Sequence, residues 1–389
     1  MTTELWQRLR DAPDLVAAAS RAGGDPLAAQ KELRSRFEAE LVPLALTLAE
    51  VRRKAAGRFS YADRLWSDPV RLEQATPEAV ARHKALRFGG RVTDLCCGLG
   101  ADAVAISGRG PVTAVDLDPV CGLFAAWNAE AAGVPPPAFE CRDAADGVPT
   151  GLVHIDPDRR PGGHRVRRLE QYEPPLEFLQ SLAGSADGGA IKVSPASNFG
   201  GKFPGCEVEL VSLGGECKEA TVWFGSLAGD APYRATLLPT GETLAGDPLS
   251  AIAPQADLGP LLLDPDPSVV RSGLLDLLCE RHGLGRLDDA EEYLTADAPP
   301  DTAFVTPFEV LDRCGNNAKQ IRSMLKRHGV GPLEVKTRHV GADANRLQKS
   351  LQKPDGEPGV LFLARLTGRT HAVLCRRPAR LAEPAAPAV

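Results

Sequence analysis

The spacing of apolar and polar residues divides the chain into a helical start, an α/β centre and a mixed end. Apolar residues recur at helical spacing over 25–58, and Thr76-Pro77-Glu78 has the composition of a helix start, which predicts a helix to Phe88. Between 92 and 193, short apolar runs alternate with helical stretches. This alternation predicts an α/β fold with a doubly wound, largely parallel sheet.

The short apolar runs mark the strands of this sheet. We predict strands at 92–95, 112–115, 139–141, 152–155 and 191–193, a loop with the start of a helix at 98–107, and helical stretches at 119–132 and 174–183. Two further β-rich runs, at 207–210 and 221–224, lie on either side of Gly214-Gly215, as in an antiparallel pair that closes a sheet. The α/β domain is therefore expected to end near Ala228.

Beyond Ala228 the chain is first rich in proline and glycine, with one predicted helix at 267–281, and then has the pattern of a small α+β module. The predicted elements of this module are helices at 318–327 and 344–351 and strands at 333–337, 360–366 and 371–375. We expect five segments: a helical N-terminal domain (1–75), an α/β domain (76–228), a linker and helical connection (229–300), a basic α+β domain (301–381) and a disordered tail (382–389).

Length and composition set the class of protein. A chain of 389 residues is long enough for two or three domains. No apolar run approaches the roughly 20 residues that a membrane span needs, and the first residues lack the pattern of a secretory signal. The nine cysteines include no Cys-x-x-Cys pair, which argues against a disulfide framework and a zinc site. We expect a cytoplasmic monomer with no membrane partner and no metal.

Charge is distributed unevenly along the chain. The formal net charge is −6, yet the segment 315–380 contains 14 Lys and Arg against four acidic residues, so it carries +10 and the remainder carries −16. A basic module on an acidic body indicates a polyanionic partner. A solvated basic surface without a partner is the alternative.

Four polar motifs follow four of the predicted strands. They are Asp94 to Asp102 with Gly98 and Gly100, then Asp116 with Asp118, then Asp143, then Asp156-Pro157-Asp158-Arg159-Arg160. The carboxyl ends of parallel strands lie at one edge of a sheet, where open α/β folds bind ligands. The four motifs therefore predict one ligand site.

A nicotinamide dinucleotide is the rival ligand, because Gly98-x-Gly100-x-x-Ala103 followed by Asp116 also fits a dinucleotide fingerprint. Asp94, however, stands at the end of the strand, where a carboxylate suits a cationic amino group better than a pyrophosphate. Asp143 and Asp156 have no general role in holding a dinucleotide. An NAD-dependent enzyme is therefore the more remote alternative.

The four motifs resemble those of class I S-adenosylmethionine-dependent methyltransferases, whose sulfonium cofactor is cationic and carries no phosphate. The resemblance implies a Rossmann-like sheet and S-adenosylmethionine as the cofactor. It implies that the first motif surrounds the methionine moiety, that the second binds the ribose hydroxyls and that the third faces the adenine amino group. The cofactor-binding residues implied are Thr76, Asp94, Cys96, Gly98, Gly100, Asp102, Asp116, Asp118 and Asp143.

Two further resemblances bear on the substrate. The segments 72–78, 94–100 and 116–119 are similar to trimethylguanosine synthase and its prokaryotic relatives, and the basic stretch 333–338 is similar to the THUMP-like domain of such bacterial methyltransferases. These resemblances imply methylation of RNA at a base amino group or ring nitrogen. We therefore predict that Lys336 and Arg338 bind RNA.

The fourth motif departs from the pattern of base amino methyltransferases, because the usual aromatic residue is missing. Asp156 and Pro157 can still grip a target N–H, since methyl transfer depends chiefly on in-line proximity. Arg159 would then supply the stacking plane, so Asp156, Pro157 and Arg159 are the predicted catalytic residues. The alternative is an Asp-Pro turn whose arginines pair with Asp158 or Glu170.

Other residues were weighed for contact with the substrate. Stacking on a base by Arg160, Tyr172 or Phe199 is an alternative to Arg159. Arg160, Arg165 and Lys192 are predicted to bind substrate anions, with solvated charge or salt bridges as the alternative.

Two chemical roles are not expected from this sequence. A cysteine adduct at pyrimidine carbon 5 would need a thiolate beside the acceptor, and no cysteine neighbours Asp156 or Ser194. His154, inside a predicted strand, is expected to be a packed histidine. Besides an RNA methyltransferase, two classes remain open: a small-molecule methyltransferase and a non-catalytic protein that binds cofactor or RNA.

Overall fold

The computed structural model describes residues 2–23, 25–160, 164, 166–338, 341 and 343–378. The chain divides into two compact units, one of residues 1–208 and 218–230 and one of residues 209–217 and 231–389. Two expectations, the disordered tail at 382–389 and the substrate contact of Arg165, lie outside the described residues.

The helices of unit 1 include those predicted from the sequence, together with three that were not predicted individually, at 3–10, 13–21 and 69–74. The helices of this unit are α1 (Thr3–Arg10), α2 (Pro13–Arg21), α3 (Pro26–Arg34), α4 (Val42–Ala55), α5 (Pro69–Gln74), α6 (Glu78–Ala85), α7 (Ala101–Ser107), α8 (Pro119–Ala132) and α9 (Leu176–Ser185). Proline occupies a first helical position in several of them, where its missing N–H costs no hydrogen bond.

Residues 1–75 do not form a unit of their own. Their helices share one hydrophobic core with α8: Trp6 of α1 is buried, and its ring lies edge-on to that of Phe124 at 4.8 Å between centroids. Each of these short helices has one apolar face, which is stable only when it is buried against a neighbour. The expected N-terminal helical domain is instead an additional layer of unit 1.

The sheet of unit 1 has the strand order β3-β2-β1-β4-β5-β7. The strands up to this point in the chain are β1 (Val92–Leu95), β2 (Val112–Asp116), β3 (Ala138–Cys141), β4 (Leu152–Ile155), β5 (Gly188–Val193), β6 (Glu207–Leu213) and β7 (Glu216–Gly225). Strands β1 to β5 pair in parallel, and β7 is antiparallel to β5. The order reverses between β1 and β4, which creates a crevice at the carboxyl ends of these two strands.

Unit 2 contains the antiparallel hairpin of β8 (Tyr233–Leu238) and β9 (Glu242–Gly246), and a second sheet in the order β11-β12-β10-β13-β16-β15-β14. The strands of this sheet are β10 (Leu261–Pro265), β11 (Gly285–Arg286), β12 (Leu294–Ala296), β13 (Val305–Gly315), β14 (Val330–Thr337), β15 (Glu357–Leu366) and β16 (Arg369–Arg376). Its helices are α10 (Pro267–Ser272), α11 (Leu275–His282), α12 (Ala318–Arg327) and α13 (Ala344–Leu351).

The segment 229–300 differs from the expected linker. It contributes strands and two helices to a buried cluster that includes Leu244, Leu263, Leu278 and Leu294. Proline and glycine interrupt its apolar runs, so each run is too short to be recognised in the sequence. The single helix expected here is divided at Gly273, which has a φ of +74°.

The last part of unit 2 follows the prediction closely. The bounds of α12 and α13 are those expected from the sequence, and both helices pack on β14 to β16 through one hydrophobic cluster. Met324 of α12 and Leu351 of α13 are buried in that cluster. The two helices therefore cover the same face of the sheet, and their polar sides point to solvent.

Candidate functional site

A cavity of about 830 Å³ lies at the carboxyl ends of β1, β2 and β4, where the sheet order reverses. All four polar motifs reach it. Of the predicted cofactor-binding residues, those in its wall are Thr76, Asp94, Cys96, Gly98, Asp102, Asp116 and Asp143. The fourth motif contributes Asp156, Pro157 and Arg159. The topology thus brings together residues that are up to 83 positions apart in the sequence.

The loop between β1 and α7 has the unusual backbone that its glycines predict. Cys96, Gly98 and Gly100 all have positive φ, at +58°, +56° and +86°. A Cβ at Gly100 would lie 2.7 Å from Ala125 Cα, so this glycine is needed where α7 and α8 come close. Gly100 therefore shapes the loop, which differs from the expected direct contact with a cofactor.

The second motif contains two aspartates with different surroundings. Asp116 lies in the cavity wall and accepts hydrogen bonds from the backbone N–H groups of Gly98, at 3.0 Å, and of Asp118, at 3.1 Å. Asp118 caps α8 by accepting from Val120 N–H and forms an ion pair with Arg71. Asp118 is thus engaged by its own helix, in contrast to its expected role in cofactor binding.

The third motif is the most exposed of the four. Asp143 lies in the cavity wall and accepts a hydrogen bond from Ala145 N–H at 2.8 Å, at the start of a 3₁₀ turn. Its carboxylate has further lone pairs for a ligand.

Beneath the first motif lies a buried cluster of charged groups centred on Lys84. Its Nζ lies 2.8 Å from Asp102 Oδ1, 2.7 Å from Glu219 Oε1 and 3.3 Å from His154 Nε2. The other nitrogen of His154, Nδ1, lies 2.6 Å from Asp94 Oδ1. His154 is therefore more than the packed histidine expected from the sequence, because it connects Lys84 to a carboxylate of the cavity wall.

The charges of this cluster shift one another's pKa values. Burial disfavours the charged form of Lys84, yet Asp102 and Glu219 raise its pKa above the usual value. Burial would likewise raise the pKa of Asp102, but Lys84 and His154 hold it below its usual range. For Asp94, burial raises the pKa although His154 opposes the shift.

The fourth motif is held by ion pairs. Lys192 Nζ lies 2.6 Å from Asp156 Oδ2 and donates to the backbone carbonyl of Gln74 at 3.2 Å. Arg160 pairs with Glu73 at 2.6 Å. The structure thus places Lys192 and Arg160 in salt bridges, which was the alternative to their expected substrate contacts.

Arg159 differs from these two cations. It lies in the cavity wall, and no ion pair is found for it among the residues that the structure describes. Tyr172, one alternative for stacking on a base, is buried and its hydroxyl lies 2.6 Å from Ser197 Oγ. Phe199 is buried as well. Arg159 is therefore the better placed of the residues proposed for stacking.

The thiols near the cavity are poor nucleophiles. Burial, with the neighbouring aspartates, raises the pKa values of Cys96 and Cys97 well above that of a free thiol. Both are thiols at neutral pH, which agrees with the expectation that no cysteine adduct forms. Within the described ranges, no group of His, Cys, Asp and Glu side chains is arranged to hold a metal ion.

The two residues of unit 2 predicted to bind RNA are engaged within their own unit. Lys336 Nζ lies 3.0 Å from Asp264 Oδ2, and Arg338 pairs with Asp264 at 2.8 Å and with Glu292 at 2.6 Å. Arg338 also donates to the carbonyl of Pro265. Their charge is therefore compensated by carboxylates of the same unit.

Comparisons with known proteins agree with the fold. An acid-lined crevice at the switch point of a doubly wound sheet is the arrangement of a Rossmann-like methyltransferase. Two proteins of Mycobacterium tuberculosis strains, each named an uncharacterized S-adenosylmethionine-dependent methyltransferase, are 32% identical to this chain over 365 residues, which are 88% of this chain and 99% of the relative. Residues 305–377 match the family model described as THUMP domain-like.

A solved structure supports the fold. A crystal structure from Porphyromonas gingivalis that is assigned as a methyltransferase superposes with a TM-score of 0.75 and 17% identity, and the match covers 97% of this chain and 100% of that chain. The protein belongs to the S-adenosylmethionine-dependent methyltransferases and carries a C-terminal THUMP-like domain. The predicted fold class, enzyme class and cofactor are confirmed, and the NAD-dependent alternative is set aside. No helix in the described ranges has the length and apolarity to span a membrane.

The cavity fits the cofactor of this family. One oxygen of Asp94, Oδ2, is buried and has no hydrogen-bond partner among the described residues, although it belongs to a side chain of the cavity wall. A buried carboxylate oxygen without a donor is costly unless a ligand supplies one. The amino group of S-adenosylmethionine is a cationic donor of the required kind.

Proposed function

We propose that this cavity binds S-adenosylmethionine and that the protein transfers the methyl group to RNA. The observation that carries the placement of the cofactor is the unpaired Oδ2 of Asp94 in a cavity whose charged lining residues are mostly aspartates. When bound, the cofactor supplies an electrophilic methyl group on a sulfonium. The residues of the chain bind and orient it and hold the acceptor.

Three aspartates would each bind a different part of the cofactor. Asp94 accepts from the amino group of the methionine moiety, Asp116 from the ribose hydroxyls and Asp143 from the adenine amino group. The peptide groups of Cys96 and Gly98, in the left-handed conformation, let the backbone approach the ligand closely. Carboxylates favour a sulfonium ligand, whereas a phosphate ligand would be repelled.

The fourth motif would hold the acceptor. Lys192 pairs with Asp156 and fixes one of its oxygens, which leaves the other to accept from an N–H of the target base. Pro157 contributes its carbonyl group. Arg159 stacks on the base or binds its phosphate.

The RNA contacts are assigned to α12, α13 and the turn after α13. In the described part of 305–377, ion pairs are found for Arg327, Lys336, Arg338, Arg365, Arg376 and Arg377. The exposed cations of this part for which no ion pair is found in the described residues include seven outside β13: Lys319, Arg322, Lys326, Arg346, Lys349, Lys353 and Arg369. We call these seven residues the helix-face cations, although Arg369 begins β16. Neither helix contains an acidic residue, so this surface suits a phosphate backbone.

Two experiments test this function. Calorimetry with S-adenosylhomocysteine should show binding that Asp116→Ala weakens by about 1 to 3 kcal/mol, the value of a charge-assisted hydrogen bond. Asp118→Ala is the matched control, because its carboxylate caps α8, and it should leave the affinity nearly unchanged. Equal affinity in wild type and Asp116→Ala would remove this cavity as the cofactor site.

The second experiment identifies the acceptor. The protein is incubated with labelled S-adenosylmethionine and RNA from a strain that lacks it, and the RNA is digested to nucleosides. We expect label in a base, and we expect Arg159→Ala to reduce its incorporation. Label in small molecules but not in RNA would establish the small-molecule alternative, whereas binding of cofactor without any transfer would establish a non-catalytic role.

A further inference from the structure

The buried cluster beneath the first motif contains two residues that lie behind the cavity wall. Lys84 of α6 and Glu219 of β7 are each 1% exposed at the side chain. Both reach the wall through others: Lys84 contacts Asp102 and His154, and Glu219 accepts from Thr76 Oγ1 at 3.4 Å.

The donors and acceptors of the cluster determine where its protons lie. A lysine ammonium has three N–H donors and no acceptor. The three partners of Lys84 are Asp102, Glu219 and Nε2 of His154. Nε2 must therefore accept, which places the single ring proton of a neutral imidazole on Nδ1, where it is donated to Asp94 Oδ1 at 2.6 Å.

This arrangement fixes the carboxylate of Asp94. Because Oδ1 is taken by His154, Oδ2 is the oxygen that remains without a donor in the cavity wall. The hydrogen bond from Nδ1 also favours the ionised form of Asp94. A change at Lys84 would thus be transmitted to Asp94 through the tautomer of His154.

The charges of the cluster do not cancel. Asp94, Asp102 and Glu219 are three carboxylates, whereas Lys84 is a single ammonium. Burial lowers the pKa of His154 but Asp102 and Asp94 raise it, and the acids outnumber the cations in either state of its ring. Buried charge of one sign is costly unless an opposite charge is nearby. The other charged groups that face Asp94 and Asp102 are Asp156 and Lys192, which pair with each other. One more cation is therefore favoured at the free oxygen of Asp94.

We propose that Lys84 and Glu219 are positioning residues for the cofactor. Through His154 they hold Asp94 ionised, with Oδ2 directed at the amino group of the methionine moiety. This inference rests on the proposed function, which places that amino group at Asp94. It assigns to a lysine and a glutamate outside the cavity wall the selectivity for ligands that carry an amino group.

Two ligands separate this role from a merely structural one. S-adenosylhomocysteine carries the amino acid moiety, whereas 5′-methylthioadenosine has the same nucleoside and thioether without it. In Lys84→Met we expect the affinity for S-adenosylhomocysteine to fall by at least about tenfold, as for a lost charge-assisted contact, and that for 5′-methylthioadenosine to change by less than about twofold. Lys54→Met, at an exposed lysine of α4, is the control and should change neither.

A second variant and a spectroscopic measurement on the wild type test the inference even if Lys84→Met fails to fold. Glu219→Gln keeps the size of the side chain and removes one charge, and we expect the same selective loss, by roughly threefold. In wild type, proton–nitrogen NMR spectra of the histidine side chains should show His154 neutral with the proton on Nδ1, and this preference should be lost in Lys84→Met. An equal loss of affinity for both ligands in the variants, or a proton on Nε2 in the wild type, would overturn the inference.

Asp94→Asn distinguishes failure of this inference from failure of the proposed function. If Asp94→Asn binds S-adenosylhomocysteine as tightly as wild type, the cofactor is not held at Asp94 and both proposals fall. If Asp94→Asn weakens binding while Lys84→Met and Glu219→Gln retain the wild-type ratio of the two affinities, the cofactor site stands and only the positioning role is lost.

Discussion

Unit 1 and the THUMP-like part of unit 2 both concentrate charged residues, but they use them in opposite ways. Beneath the cavity, Lys84, Asp102 and Glu219 are buried and in contact with one another, so each charge fixes the geometry of the next. On α12 and α13 the cations are exposed, and their value lies in their number and shared direction. Buried charge thus specifies one ligand, whereas exposed charge attracts a class of ligand.

The net charge of a segment differs from the charge that is available to a partner. The segment 315–380 carries +10, yet Lys336 and Arg338 form ion pairs with Asp264 and Glu292, which lie outside that segment. A count along the sequence includes such cations with the solvated ones. Position in the fold decides which of them a phosphate can reach.

The largest effect is expected where buried charge is broken. Lys84→Met should lower the free energy of unfolding by roughly 3 to 5 kcal/mol, because it leaves Asp102 and Glu219 without their counter-charge. The loss should be smaller at pH 5 than at pH 8. Carboxylates left without a cation have raised pKa values in the folded state, so the folded variant binds protons that the unfolded chain does not, and its stability falls as the pH rises.

Urea unfolding at the two pH values measures this effect. Lys326→Met, at an exposed lysine of α12, is the matched control and should change the stability by less than about 0.5 kcal/mol at either pH. A similar small change for Lys84→Met would show that buried and exposed lysines are equivalent here.

The second prediction concerns the exposed charge. Replacing Lys319, Arg322 and Lys326 together by alanine should reduce the slope of log K for RNA against log salt by about 2, since each phosphate contact contributes roughly 0.7 to 0.9. Affinity for S-adenosylhomocysteine should not change. Filter binding at several salt concentrations gives the slope.

A second triple variant controls for the change in net charge. Arg21, Lys31 and Arg34 are exposed cations of α2 and α3, and their replacement by alanine removes the same charge from unit 1. The slope should then stay at the wild-type value. If both triple variants lower it equally, the attraction is one of overall charge and α12 has no special part in it.

The third prediction separates a paired cation from the helix-face cations. Arg338→Ala should lower the free energy of unfolding by about 1 to 2 kcal/mol, because Asp264 and Glu292 lose a largely buried partner. The salt dependence of RNA binding should stay as in wild type. A lower slope without loss of stability would return Arg338 to the RNA surface that the sequence predicted.

The smallest effect is expected at the exposed edge of the cavity. Asp143→Ala should weaken the binding of S-adenosylhomocysteine by about 0.5 to 1 kcal/mol, which is less than the effect of Asp116→Ala. A solvated carboxylate gains less from a hydrogen bond than a partly buried one. Calorimetry on both variants gives the order. The reverse order would mean that the adenine end of the cavity is less open to water than the ribose end.

Much of the fold follows from local sequence signals. Strands β1 to β4 were recognisable because each is a short apolar run followed by a polar motif, and α12 and α13 because their apolar residues recur at helical spacing. By contrast, β13 escaped prediction, because Pro307 and several charged residues interrupt it. The hairpin of β8 and β9 was hidden by the prolines and glycines around it.

The sequence predicted those residues of the candidate site that lie in short motifs. Four motifs at strand ends sufficed to place Asp94, Asp116 and Asp156 in one cavity. Lys84 and Glu219 are 135 positions apart and lie in no motif, so their contact arises from tertiary packing alone. A salt bridge was the alternative for Lys192, but nothing in the sequence identified Asp156 as its partner.

The contact between Gly100 and Ala125 has a consequence for the layer formed by the first helices. Ala125 follows Phe124, whose ring packs against Trp6, so α8 lies between the β1–α7 loop and the N-terminal helices. A helix supported on one side only can shift away from the loop. We therefore expect a shortened chain that begins at residue 76 to keep the four polar motifs of the cavity but to bind its ligand less tightly, because the β1–α7 loop is no longer supported.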